Sequence, residues 1–320
     1  LLCFSRHLDA EVEIERGLVK PFLMGKDVHR YEPPVARNVV IFPYTLQNNK
    51  AELMTQRFIK QHYPLGWKYL EQNRYDLGER ERGRMHGEEF YAYIYPKNLT
   101  EFEAVKIMTP DISGKPEMTI DLTGNLYHTT TIYSFVFDNA VQKSPKFMLG
   151  ILNSSVMWFF ISMTGTVLRG NYLRFKTNYL KPFPIPTART ESERVKEKTQ
   201  GKVIEILVDY VLWLKAQDEP SENKRAAERR VMTAFFEQLI DSVVYEMYFP
   251  EELADAKKFP SQLLIDEQLP EIAALTGDKS AALTQIYHRL YAPNHPVRAL
   301  IHFLSTIETI RIIEEKSRKS

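Results

Sequence analysis

One cysteine, Cys3, in 320 residues excludes an internal disulfide framework and any zinc site built on several cysteines. That usage fits a reducing compartment, the cytoplasm. No run approaches the 18 or so apolar residues that span a bilayer. The longest, Val156 to Met163, is interrupted by Ser162. Glycine is scarce, at 13 residues, and none of them fall in a G-x-G-x-x-G or Walker pattern. The turn that lets backbone approach a nucleotide-type cofactor is therefore missing. The only Pro-Pro pair, Pro33-Pro34, stands between Glu32 and Val35, so it lacks the Asn/Asp-Pro-Pro-Tyr/Phe form that holds the amino group of a flipped base. The eight histidines contain no H-x-x-x-H pair. Asp218, Glu222 and Lys224 spell a crude nuclease-like triplet, but in a polar linker with no strands to position it. Asp9, Glu11, Glu13 and Glu15 alternate, which suits the exposed face of a strand better than a chelate. No catalytic, cofactor-binding or metal-binding residue is assigned.

The chain opens Leu1-Leu2-Cys3-Phe4-Ser5 without a methionine or a basic leader, and the expectation is a piece of a longer protein in which residues 1–17 lead in from an upstream domain. Two textures meet near residue 188. The first is mixed and rich in turns. Strand-like runs occur at Val39 to Phe42, Val105 to Met108, Met118 to Asp121 and Ile132 to Phe137, and Asp121-Leu122-Thr123-Gly124-Asn125 reads as a hairpin turn. Helices are expected over about 51–63 and 145–163. Pro182, Pro184 and Pro186 then make a stiff extended exit.

The second texture is helical. Val203, Leu207, Tyr210, Val211 and Leu214 repeat at the spacing of one buried face, as do Val231, Phe235, Leu239 and Val243. Further helices are expected over 283–290 and 297–313, the latter entered at His295-Pro296. The fold class expected is α+β: a mixed module at 18–188, then an all-α bundle at 189–320.

The net charge of +1 conceals an asymmetry. Residues 1–188 carry 23 Lys and Arg against 19 Asp and Glu, whereas residues 189–320 carry 19 against 22. Within 139–188 there are six basic side chains and no acid, a field that attracts a polyanion.

Several short segments carry a resemblance. Leu18 to Tyr31 contains Lys20-Pro21, Gly25-Lys26-Asp27 and Arg30-Tyr31, and Val40-Ile41-Phe42-Pro43-Tyr44 follows it. Further on come Tyr63-Pro64-Leu65-Gly66-Trp67, the block from Lys106-Ile107-Met108 to Asp121-Leu122-Thr123-Gly124, and Leu149-Gly150-Ile151-Leu152-Asn153-Ser154 with the tail Lys181 to Pro186. In order and spacing this resembles the target recognition region of TaqI-like and type IIG restriction-modification methyltransferases. One departure is Met118, where that family's block has an aromatic. The resemblance implies sequence-specific recognition of double-stranded DNA for an adenine-N6 methyltransferase of bacteria or archaea, possessing in some cases a nuclease. It also implies an upstream methyltransferase domain as partner and S-adenosylmethionine as the parent's cofactor, bound outside this chain.

Candidate DNA contacts follow from residue type. Lys26, Arg30 and Tyr31 lie in a Gly-containing turn before a strand. Arg80, Arg82 and Arg84 occupy a glycine-flanked run suited to reading guanine. Arg169, Asn171, Tyr172, Arg174 and Lys176 combine phosphate-contacting groups with an amide suited to adenine, in the acid-free stretch. Arg30 paired with Asp27 and Tyr31 turned inward is the structural alternative. A helical protein-interaction module without a DNA role is the rival for the whole chain.

Overall fold

The computed structural model describes residues 1–137, 143–217 and 223–318. In chain order the first strands are β1 (Leu2–Ser5), β2 (Ala10–Glu13), β3 (Val19–Leu23), β4 (Asn38–Ile41), β5 (Tyr44–Gln47) and β6 (Lys50–Leu53). Helices α1 (Gln56–His62), α2 (Pro64–Gln72) and α3 (Arg74–Gly83) follow. Next come β7 (Lys106–Pro110), β8 (Ile112–Ser113), β9 (Thr119–Asp121), β10 (Tyr127–His128) and β11 (Ile132–Val136). Helices α4 (Pro145–Leu152) and α5 (Ser155–Thr164) precede β12 (Leu173–Arg174) and α6 (Thr177–Leu180). The rest is helical: α7 (Glu191–Ala216), α8 (Lys224–Tyr248), α9 (Pro250–Asp255), α10 (Pro260–Asp266), α11 (Lys279–Leu290), α12 (Pro296–Leu304) and α13 (Glu308–Arg318). The fold is α+β.

The elements form two compact units interleaved in sequence, one of residues 1–24, 35–105 and 121–129, the other of 25–34, 106–120 and 130–320. In the first unit β4, β3 and β10 form one sheet, and β1–β2 and β5–β6 are hairpins. Glu11 and Glu13 are exposed on β2 while Ile14 is buried, so the acidic alternation is a strand face. Glu15 accepts hydrogen bonds from the amides of Leu65 and Gly66, both at 2.8 Å, and so holds the open end of α2. A Cβ on Gly66 would lie 2.3 Å from a methyl of Leu18, so only glycine lets α2 pack this closely. Trp67, Phe90 and Tyr91 meet edge-to-face in the core beneath.

The Asp121 turn is present, but it does not join a hairpin. The Asp121 carboxylate accepts from the backbone of Thr123, Gly124 and Leu126, whereas β9 pairs with β7 and β10 pairs in parallel with β3. Side-chain capture of backbone amides makes the turn, and sheet partners are chosen elsewhere.

In the second unit β11, β7 and β9 form a sheet, and β8 pairs with β12. Its core continues through residue 188: Phe147, Leu149 and Ile151 from α4 share one cluster with Ile204, Leu207 and Val208 from α7 and with Phe236 and Ile240 from α8. Two expected helices are broken. The one over 145–163 bends by 57° at Asn153-Ser154, where Ser154 caps α5 by accepting from the Met157 amide. The one over 297–313 divides into α12 and α13, and His295 caps α12 through its Nδ1 with Pro296 next, as the sequence led us to expect. Val231, assigned to the buried face of α8, is 55% exposed; the buried face runs through Ala226, Met232, Phe235, Phe236 and Leu239 instead. Among the described residues no single helix is long and apolar enough to cross a membrane.

Candidate nucleic-acid interface

The most exposed of the predicted segments is a small hairpin in the second unit. Val167 bridges to Leu173, and the Leu168 amide donates to the Tyr172 carbonyl at 2.7 Å, which leaves Arg169, Gly170 and Asn171 at the tip. The tip turns through left-handed backbone at Gly170 (φ 80°) and Asn171 (φ 62°), the residue types that enter this region at least cost. The returning strand is pinned: β12 pairs with β8 through Leu173↔Ser113 and Arg174↔Ile112, and the Phe175 amide donates to the Asp111 carbonyl at 2.8 Å. Leu173 and Phe175 point into the core, so the residues between and before them face outward.

Arg169 and Asn171 are exposed, and Tyr172 is 49% exposed with its ring close over Gly114 and Gly170. Arg174 is half-buried and lies 3.7 Å from Asp111, a loose ion pair. Lys176 is half-buried at the entry to α6.

Beside the hairpin is an open cleft of about 460 Å³ lined by Lys115, Glu117, Ser155, Trp158, Tyr172 and, at its floor, Arg30. Arg30 is part of the frame. Its Nε donates to Glu237 at 2.6 Å, and its Nη1 donates to the carbonyls of Asn153 and Pro116. The structural partner foreseen for Arg30 was Asp27; the observed one is Glu237, 207 residues away in sequence. Tyr31 is 1% exposed, has φ 57° and donates its amide to the Met118 carbonyl at 2.9 Å. Of this trio only Lys26, on a short 3-10 turn, presents its side chain to solvent.

The frame extends inward. The Asn153 side chain accepts from the Met118 amide and donates to the Met118 carbonyl, both at 3.0 Å. Met118 itself is fully buried, and its flexible thioether packs in the core. The Ser155 hydroxyl and amide both donate to Asp241, at 2.6 and 2.9 Å. Burial pushes the Asp241 carboxyl up to about 6, although those hydrogen bonds and the Arg30 charge act in the other direction.

The first unit holds the other arginine group, and it divides. Arg80 turns inward and donates to the carbonyls of Leu77, Phe90 and Ala92, at 2.7, 2.5 and 3.1 Å, so it clamps the base of its loop. Glu81, Arg82 and Gly83 then run through left-handed backbone at φ 51°, 62° and 83°. Such a turn costs about 1–2 kcal/mol per non-glycine residue, and the Arg80 clamp with the Glu79–His86 pair at 2.8 Å secures it. Arg82 and Arg84 emerge exposed.

Chemically, exposed guanidinium, amide, phenol and ammonium groups on rigid turns are equipped to contact phosphates and base edges. Among the described residues no group of three or more His, Cys, Asp or Glu side chains is arranged to hold a metal ion. Asp218 and Glu222 lie outside the described residues.

The comparisons with known proteins agree with this chemistry. Over 282 residues, 83% of this chain, it is 21% identical to the type II restriction enzyme and methyltransferase RM.Eco57I of Escherichia coli, covering 26% of that protein. Over 176 residues, 55% of this chain, it is 26% identical to the type II methyltransferase M.PaeR7I of Pseudomonas aeruginosa, covering 28% of it. A third relative, the type II methyltransferase M.XhoI of Xanthomonas vasicola, is 25% identical over 39% of this chain and 22% of its own. The chain thus spans about a quarter of the length of the curated relatives it matches. Residues 20–185, more than half of the chain, match the TaqI-like C-terminal specificity domain, and the protein belongs to that family.

Proposed function

We propose that this chain reads double-stranded DNA sequence for a restriction-modification adenine-N6 methyltransferase, and that the methyl transfer itself is performed by an upstream domain of the same protein. The observation that carries the reading is the 167–173 hairpin: Arg169, Asn171 and Tyr172 are presented on a pinned, acid-free tip beside an open cleft. Arg169 and Lys176 act on phosphates, Asn171 on a base edge, and Arg82 and Arg84 form a second reading loop in the other unit. Arg30, Tyr31 and Arg80 hold these surfaces in shape from inside, and Arg174 contributes its charge from a loose pair with Asp111. S-adenosylmethionine belongs to the upstream domain, because this sequence has no glycine-rich cofactor turn to hold it. The site of action is the cytoplasm, where the DNA is.

Fluorescence anisotropy on labelled duplexes tests this reading. The expected result is binding that weakens steeply with salt, with a log–log slope near −5 if about six phosphates are neutralised. Arg169→Ala should weaken every duplex alike and make the slope shallower by about one unit. Absence of binding at low salt, or binding indifferent to salt, would refute the proposal.

A further inference from the structure

The helical half of the chain carries an excess of acid, yet its α8 opens with four basic residues and one acid in seven positions: Lys224, Arg225, Arg229 and Arg230 around Glu228. Cations are disfavoured in the first turns of a helix, where the peptide dipoles present positive charge, and no acidic residue occupies the first turn to offset them. The helix end itself is already satisfied, since the Asn223 side chain accepts from the Ala226 amide. Local structure therefore gains nothing from this cluster.

Lys224 and Glu228 lie 3.9 Å apart in an exposed i,i+4 pair, and among the described residues Arg225, Arg229 and Arg230 have no carboxylate partner. Arg225 and Arg230 are exposed, and Arg229 is half-buried. Position on the helix relates Arg230 to the cleft, whereas Arg225 and Arg229 lie about 140° and about 100° around the axis from it. Residues 230, 237 and 241 are separated by seven and four positions, the spacing of one helix face. Glu237 and Asp241 use that face to hold Arg30 and Ser155, both of which line the cleft. At 1.5 Å per residue, Arg230 stands about 10 Å along the same face from Glu237.

We propose that the first two turns of α8 form a second phosphate-contacting surface, continuous with the cleft, against which the nucleic-acid backbone lies beyond the hairpin. The proposal rests on the DNA-reading function above. It gives the helical half a share of the grip, independent of sequence, with about one phosphate neutralised per arginine.

The test uses the whole chain and a labelled 30-base-pair duplex of random sequence, titrated from about 50 to 200 mM salt, the range over which phosphate contacts weaken measurably. Arg225→Gln, Arg229→Gln and Arg230→Gln are compared singly and together with Glu228→Gln and Arg169→Ala. Each arginine loss should make the salt slope shallower by about 0.9, and the triple variant by nearly three units. Glu228→Gln should bind more tightly than the wild type, an effect that a folding defect does not produce. If Arg169→Ala weakens binding while the α8 variants match wild type in affinity and slope, this surface is overturned and the reading function stands. If the wild-type chain binds no duplex, both fall together.

Discussion

At the scale of single residues, the side chains with the best-defined work are those that hold the reading surface from behind. Asn153 is the sharpest case. Its amide satisfies both backbone groups of the buried Met118, and Asn153→Ala would leave the Met118 amide without an acceptor. Such a loss costs about 1–3 kcal/mol, so the chain should melt several degrees lower and lose DNA affinity through displacement of the cleft wall. A melting temperature equal to wild type would contradict this role. Glu15 and Asp241 give opposite pH signatures. Burial pulls the Glu15 carboxyl upward, but amide bonds from Leu65 and Gly66 outweigh it and leave it below the ordinary range. Its contribution is present above the unfolded value and is lost as pH falls through the folded one. Glu15→Gln should therefore cost about 1 kcal/mol at pH 7, the usual cost of a lost helix cap, with the gap to wild type closing in acid. Asp241, raised to about 6 by burial, favours the protonated form, so its contribution is greatest below the unfolded value near 4 and declines as pH rises through 6. In Asp241→Asn that decline should vanish from melts between pH 4 and 7.

At the scale of elements, the hairpin tip depends on two left-handed residues. Gly170→Val would force a β-branched side chain to φ 80°, where it is strained. The tip is exposed and packs little, so the expected result is a large loss of DNA binding with only the backbone strain, about 1–2 kcal/mol, lost from stability. Equal affinity would show that the tip does not touch DNA. The elements also show what was legible in the sequence. Alternating and β-branched runs located β4, β7, β9 and β11, and the i, i+4, i+7 spacing located α7, because both signals are local. The division of 145–163 into α4 and α5 was not legible, since Asn153 breaks the helix to bind Met118, a partner 35 residues away. For the same reason the sequence leaves Tyr31 open between a DNA contact and an inward ring, and the fold buries it. Arg80, Arg82 and Arg84 look alike in sequence; only the carbonyls of Phe90 and Ala92 distinguish the clamp from the two exposed arginines. The basic opening of α8 was hidden by the net negative charge of the helical half, and the exposure of Arg225 and Arg230 was the missing signal.

At the scale of the whole molecule, two interleaved units present rigid turns bearing cationic and amide groups, and the family to which the chain belongs is a specificity domain. Phosphate contacts alone would give affinity without choice, whereas base contacts are worth about 1–3 kcal/mol for each pair read. The central claim is choice, so selection tests it most directly. The chain is incubated with a duplex pool containing a randomised core at moderate salt, bound molecules are recovered, and the pool is sequenced over successive rounds. The account predicts enrichment of one short motif, relaxed at a single position by Asn171→Ala or by Arg84→Ala and unchanged in identity by Arg230→Gln. Recovery of the pool without any enriched motif, despite binding, would contradict it.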